Sequence, residues 1–268
     1  MIYISPSVVL SAEAYASLVN PVFLWDNLVT LAGIEADEEN PLYPATNLAN
    51  PQTSSLWKSG STDDQYLTFT LDIDGEIDAV GIARHNWGTG LILVTIEGIT
   101  AEPGADWEAL GDFVPGDDTP ILAMFEAGYY TGIRLKLEPG SVEPQAAVVY
   151  VGKALVMPRS TPVGFVPLPD ALVRDTLIGT AENGDFLGDI IVSERLSTNV
   201  DFRSLDGDWY RANMRAFVQA GIPFFYCWSP TYYPDEAGFA KFENVPQGSV
   251  SQWRGEMDVS LRLVGLAL

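Results

Sequence analysis

The chain of 268 residues contains one cysteine, one histidine and only 14 lysines and arginines. Each shortage excludes something. Cys227 alone rules out an internal disulfide framework and a cysteine-based zinc site. His85 alone rules out a histidine-rich metal site and a paired-histidine acid–base system. The 14 basic residues face 36 acidic ones, for a formal charge of -22. That balance argues against nucleic-acid binding, which needs clustered Lys and Arg on the phosphates. No uninterrupted run of about 18 apolar residues occurs, so no membrane insertion is expected. The apolar start MIYISPSVVLSAEAYASLVNPVFLW carries Ala12, Ala14 and Ala16, but the first basic residue is Lys58. A secretory signal needs a positive n-region, so the expectation is a protein made in the cytoplasm.

What the chain does have is the material of a packed β protein. Hydrophobic residues make up 47% and charged residues 19%, enough apolar content for a core. Its 24 glycines and 18 prolines are scattered and punctuate short apolar runs, the rhythm of strands and turns. Residues 66–73 alternate strictly, with Leu67, Phe69, Leu71 and Ile73 on one face, and Asp74-Gly75 supplies a turn. Further strands are expected at 77–83, 91–97, 129–137, 186–196, 223–228 and 256–263. The run AVVYV at 147–151 reads as a strand buried on both faces.

Four prolines between residues 158 and 170 mark a linker, which puts a boundary near residue 160. One helix is expected at 207–220, where Trp209, Ala212, Ala216 and the Phe217–Val218 pair recur at helical spacing, with Tyr210 and Met214 alongside. Asp206 or Asp208 would cap its start, and Gly221 with Pro223 would end it. The fold class is therefore mainly β: a β-sandwich at 40–160, then a second β-rich domain at 161–268 with one helix. Residues 1–39 form an N-terminal segment expected to pack on the second domain.

No catalytic constellation stands out in the sequence. A Ser-His-Asp arrangement would need His85 as base, but no GxSxG elbow accompanies it. The ordinary reading of His85 is a strand-end side chain bonded to backbone. Cys227 sits in PFFYCW, apolar surroundings that leave a thiol inert. The acidic run Glu35, Asp37, Glu38 and Glu39 lacks EF-hand spacing. Asp63-Asp64 and Asp72-Ile73-Asp74 read as turn residues before calcium ligands. A glycosidase would use two carboxylates whose separation a sequence does not supply. No P-loop or dinucleotide fingerprint is present. No cofactor, no metal and no enzymatic activity are expected.

Aromatic residues carry the remaining signal. Trp57, Trp87 and Trp107 fall in or beside loops, where they either stack on sugar rings or plug the core. The candidate carbohydrate contacts are Trp57, His85, Asn86 and Trp87. A second cluster, Phe224, Phe225, Tyr226, Trp228, Tyr232 and Tyr233, is either core or an oligomer interface, where aromatics are enriched.

Residues 40–157 resemble the discoidin (F5/8 type C, galactose-binding-like) jelly roll. The resemblance lies in NPLYPATNLANPQTSSLWKSG, YLTFTLDIDGEIDAVGIARHN, DWEALGDF, TGIRLKLEP and VVYVGKAL, in that order. The bridging cysteine pair of the extracellular members is missing. FLWDNL, PLYPATNLANP and the His85-Asn86 step also resemble virion structural proteins of tailed bacteriophages. DWYRANMRAFVQAGIPFFYCW is similar to the helix-then-strand element of tail-tube-like and distal-tail domains, although those proteins usually place that domain first. The resemblance implies a tail-tip or baseplate component in the virion tail, forming a homo-oligomeric ring or a complex with other phage tail proteins. It implies an outward sandwich domain that meets host-surface carbohydrate. The alternative is a carbohydrate-binding module protein acting on cell-surface glycans without catalysis.

Overall fold

The computed structural model describes residues 1–5, 18–72, 75–251 and 255–266; Ile73, Asp74, Ala12, Ala14 and Ala16 lie outside them. The chain is mainly β and divides into two units. The first comprises Met1–Ser160 and Pro223–Phe239, the second Thr161–Ile222 and Ala240–Leu268.

The first unit is a jelly-roll sandwich. One sheet runs in spatial order β1 (Ile2–Ile4), β9 (Ile121–Gly128), β6 (Ile77–Ala83), β12 (Val148–Gly152). The facing sheet runs β3 (Ile34–Ala36), β5 (Gln65–Thr70), β10 (Gly132–Leu137), β7 (Val94–Ile99), β8 (Glu108–Phe113). A short pair, β4 (Trp57–Lys58) with β11 (Gln145–Ala146), lies at one end. Strict alternation makes the inner face: Leu67 and Phe69 of β5, Ile133 and Leu135 of β10 and Val94 and Ile96 of β7 meet Val80 and Ile82 of β6, Ala123 and Phe125 of β9 and Val149 and Val151 of β12.

All five residues of β12 are buried, as its unbroken apolar run implies. The reason is a third layer within this unit. Strand β2 (Val22–Leu24) pairs with β13 (Leu155–Val156) and with β16 (Phe224–Cys227), and their side chains cover the outer face of the β6–β12 sheet. Gly81 of β6 is where the ring of Phe225 lies down: a Cβ there would sit 2.3 Å from Phe225 Cδ2. Tyr150 meets Phe225 edge-on at 5.4 Å and donates its hydroxyl to Pro223 O at 3.0 Å.

The described residues among 1–39 therefore belong with the sandwich and not with the second domain. β1 pairs in parallel with β9, β2 with β13 and β16, and β3 with β5. Segment 223–228, expected in the second domain, joins the first unit for the same reason: its apolar side chains fill the layer that β2 begins.

The second unit is a smaller sheet with one helix. A long hairpin, β14 (Leu172–Thr180) and β15 (Phe186–Leu205), pairs through β15 with β19 (Met257–Gly265). Residues Ala240–Phe242 of β17 (Ala237–Phe242) and β18 (Ser249–Val250) also pair with β19. The helix, α1, runs Gly207–Trp209, passes through a π turn at Tyr210–Met214 and ends as Arg215–Ala220. The Asp206 carboxylate caps it, accepting from the N–H groups of Asp208 at 3.0 Å and Trp209 at 2.8 Å. Gly221 ends it in left-handed backbone, φ 63°. Its buried side chains are Tyr210, Met214, Phe217 and Val218, while Ala212 and Ala216 face solvent. The π turn inserts the extra rotation that moves the apolar stripe off the Trp209–Ala212–Ala216 row.

Candidate functional site

The strand registers bring four loops to one end of the sandwich. Gln65 opposes Leu137, Leu137 opposes Val94, and Val94 opposes Phe113. On the other sheet Ala83 opposes Val148 and Ile82 opposes Ile121. Loops 37–64, 84–93, 114–120 and 138–147 therefore leave the same end.

Trp57 and Trp87, candidates either to stack on sugar or to plug the core, are fully buried at that end and plug the core. Neither indole Nε1 has a hydrogen-bond partner among the described residues, so ring packing outweighs an unmet donor. His85 is buried too. Its Nδ1 accepts from Trp87 N–H at 3.2 Å, which leaves Nε2 to donate to Thr119 O at 2.8 Å. Burial pushes its pKa down to about 4, only partly opposed by the bond to Thr119 and the nearby Asp118. The imidazole is thus neutral with both nitrogens committed, and it acts on neither a ligand nor a nucleophile. Asn86 is half-buried; its Nδ2 donates to Glu143 O at 2.9 Å and its Oδ1 accepts from Gln145 N–H at 3.0 Å.

These buried groups hold a rim in place. Loop 84–93 contains two non-glycine residues in left-handed backbone, Arg84 (φ 59°) and Leu91 (φ 52°). Such backbone costs of the order of 1–3 kcal/mol per residue and persists where surroundings fix it. Here Thr89 bonds Asp118 through its N–H at 2.9 Å and its hydroxyl at 2.7 Å. Gly88 lets loop 114–120 approach: a Cβ would fall 2.2 Å from the Asp117 carbonyl.

The accessible part of the rim is exposed Tyr43 and Leu91 with half-buried Lys58, Asn86 and Glu143. Lys58 donates its N–H to Tyr43 O at 3.1 Å, and its Nζ pairs with the Glu143 carboxylate at 2.7 Å. Tyr43 is 40% exposed and Leu91 73%. Backbone bonds at Tyr43 and Glu143 and the Lys58–Glu143 ion pair thereby tie together three loops that carry a phenol ring, an ammonium–carboxylate pair and a carboxamide. These are the groups that meet apolar ring faces and vicinal hydroxyls. Tyr43 sits within the PLYPATNL motif, but nothing in its spacing distinguishes it from the buried tryptophans.

Trp107 lies elsewhere, on the outer face of the β5–β10–β7 sheet. Arg134 Cζ lies 4.6 Å from the ring centroids of both Trp107 and Tyr66, and Arg134 Nε donates to Glu97 at 2.6 Å. Each ring spends a face on the guanidinium, so the stack is an internal clamp.

The aromatic cluster proposed as an interface is mostly core. Phe224, Phe225 and Tyr226 are fully buried in the first unit, with Phe23 stacked on Tyr226 at 4.8 Å. Cys227 is buried beside them, and burial pushes its thiol up to about 12. Trp228 stacks on Tyr233 at 4.8 Å. Only Tyr232 and Tyr233 are exposed.

No family profile and no curated protein matches the chain. Solved structures do. Chitosan-binding module 1, derived from a chitosanase/glucanase of Paenibacillus sp. IK-5, is 16% identical, with 47% of this chain and 98% of the module covered at a TM-score of 0.41. CpGH89CBM32-5 from Clostridium perfringens, solved with GalNAc-β-1,3-galactose, is 15% identical, with 47% and 99% covered at 0.40. A GH29 fucosidase of Ruminococcus gnavus, solved with fucose, is 16% identical at 0.39; 48% of this chain matches only 27% of that enzyme.

Among the described residues, no group of three or more His, Cys, Asp or Glu side chains is placed to hold a metal ion. No helix among them is long and apolar enough to cross a membrane.

Proposed function

We propose that the chain is a non-catalytic carbohydrate-binding protein, and that its ligand seats on the loop end of the sandwich against Tyr43, Lys58, Asn86 and Glu143. The observation that carries this reading is the clustering, on three loops tied together by backbone and side-chain bonds, of an exposed tyrosine, a Lys58–Glu143 ion pair and the Asn86 amide, above buried Trp57, His85 and Trp87. The ring supplies stacking, and the polar groups supply donors and acceptors in fixed positions. The neutral, doubly bonded His85 leaves the rim without a histidine base, which fits binding without turnover. A glycan array probed with wild type and Tyr43→Ala tests it. Wild type is expected to bind, and Tyr43→Ala to lose about tenfold or more with an unchanged urea midpoint. Silence of the wild type on a broad array overturns the reading.

A second reading makes the chain a structural component of a phage tail tip, with the sandwich facing outward. It rests on the sequence resemblance of FLWDNL, PLYPATNLANP and DWYRANMRAFVQAGIPFFYCW to such proteins. Co-sedimentation of the chain with intact tails is expected under this reading, and its absence from purified tails defeats it.

A further inference from the structure

The hairpin β14–β15 is unlike the rest of the molecule. Strand β15 pairs with β19 only from Leu196 onward, and β14 stands at the end of its sheet. Residues 173–195 thus form a two-stranded ribbon with both backbone edges open. Ten residues of β15, 186–195, carry it about 30 Å beyond the sheet. Leu177 opposes Ile190 on one face, while Ile178 and Ile191 lie on the other. All four are exposed, as are Phe186, Leu187 and Val192, from 50% at Ile191 to 70% at Leu187.

A bare two-stranded ribbon is marginal in water, and both faces of this one are apolar. At of the order of 100 Å² per side chain, the seven residues offer roughly 700 Å², above the ~300–600 Å² of the largest patch on a typical monomer and near the ~800 Å² per partner of a standard interface. Its tip, residues 180–189, holds Glu182, Asp185 and Asp189 and no basic residue.

The same unit has a surface that complements the arm. A cleft of about 500 Å³ lies against α1, floored by Tyr210, Val218 and Met257 and edged by exposed Val245. Arg211 and Arg215 stand on its lip. Two arginines side by side are conspicuous in a chain with a charge of -22, and no ion pair engages Arg215 among the described residues. An apolar floor with a basic lip matches an apolar ribbon with an acidic tip.

We propose that the arm of one copy docks into the α1 cleft of a second copy. Donor and acceptor are different surfaces, so the contact is head-to-tail and extends to a closed ring or an open filament. The proposal is independent of what the sandwich binds.

The test uses the full chain and light scattering behind a sizing column. Wild type is expected to form an oligomer at tens of micromolar, and both Leu177→Asp on the arm and Arg215→Glu on the cleft to run as folded monomers. Both positions are solvent-exposed, and circular dichroism checks the fold of each variant. Leu177→Asp keeps an intact cleft and Arg215→Glu an intact arm, so an equimolar mixture is expected to recover a dimer holding one of each. A wild type that stays monomeric at about 100 μM, an oligomer that survives Leu177→Asp, or a mixture that recovers no dimer each overturns the proposal. Monomeric wild type that binds a separate tail protein through the arm also overturns it, and leaves the tail-tip reading standing.

Discussion

Two buried titratable groups in the sandwich pull its stability in opposite directions with pH, and separating them tests the packing directly. Burial lowers the His85 pKa to about 4 from an ordinary 6.5. Between those values the unfolded chain binds the proton and the folded one does not, so stability rises with pH and the full contribution is present above 6.5. Asp78 runs the other way. Burial raises its carboxyl from 3.8 to about 6, although the Ala154 N–H donates to it at 2.7 Å and Lys153 is near. Between 3.8 and 6 the folded chain binds the extra proton, so this group's contribution falls as pH rises. At 1.36 kcal/mol per pKa unit each swing is about 3 kcal/mol, and over the shared window from about pH 4 to 6 the two nearly cancel.

The perturbations are His85→Gln, whose amide can still reach Thr119 O, and Asp78→Asn, whose Oδ1 can still accept from Ala154. Urea unfolding followed by tryptophan fluorescence gives stability between pH 4.5 and 7. The sequence pI near 4.1 calls for dilute samples at the acid end. Subtracting wild type removes the many surface carboxylates common to all three chains. The His85→Gln difference curve is expected to slope downward with pH, and the Asp78→Asn curve upward, each by about 2–3 kcal/mol across the window. Curves flat to within about 0.5 kcal/mol would mean that neither group is desolvated as the packing requires, and would refute the reasoning.

Three further outcomes follow from named contacts. Gly81→Ala drives a methyl into the Phe225 ring and should cost about 1–3 kcal/mol in urea melts, whereas a neutral result would mean the third layer is loose. Cys227, with a thiol pushed up to about 12, should alkylate about a thousandfold more slowly than a free thiol at neutral pH and become reactive only in denaturant. Asp206→Ala removes the helix cap and should cost about 0.5–2 kcal/mol, read from the same melts.

The parts of the fold legible in the sequence are those where local pattern and tertiary burial agree. Strand β5 alternates because one face meets the core, and the apolar run 77–83 marks the bounds of β6, Ile77–Ala83. Residue chemistry likewise marks the stop at Gly221 and narrows the cap to Asp206 or Asp208, of which the structure uses Asp206. What stayed hidden depends on partners distant in sequence. Nothing local to 223–228 says that β16 pairs with β2, some two hundred residues upstream. Nothing local to Trp57 or Trp87 separates a core plug from a sugar platform, since both readings need an aromatic beside a loop. Strand β14 carries no strand pattern in the sequence, because its leucine and isoleucine alternate with no consistent face, the same property that leaves the arm uncovered.

Charge and the arm act against each other, and that conflict yields a salt dependence. Copies carrying a charge of -22 repel over a Debye length, about 30 Å at 0.01 M salt and about 8 Å at 0.15 M. The attraction proposed between the tip carboxylates and Arg211 and Arg215 acts at contact range, where partial desolvation shields it from salt, and apolar burial along the ribbon is insensitive to it. Raising salt from 0.01 to 0.15 M removes mostly repulsion. Association of the wild type should therefore strengthen over that range, while Arg215→Glu, which adds negative charge to both partners and removes the lip's attraction, should stay monomeric throughout. A wild-type association that weakens steadily with salt would mean that long-range attraction drives it. An acidic chain can supply that only through a strongly basic face, and the cleft, with two arginines, does not have one.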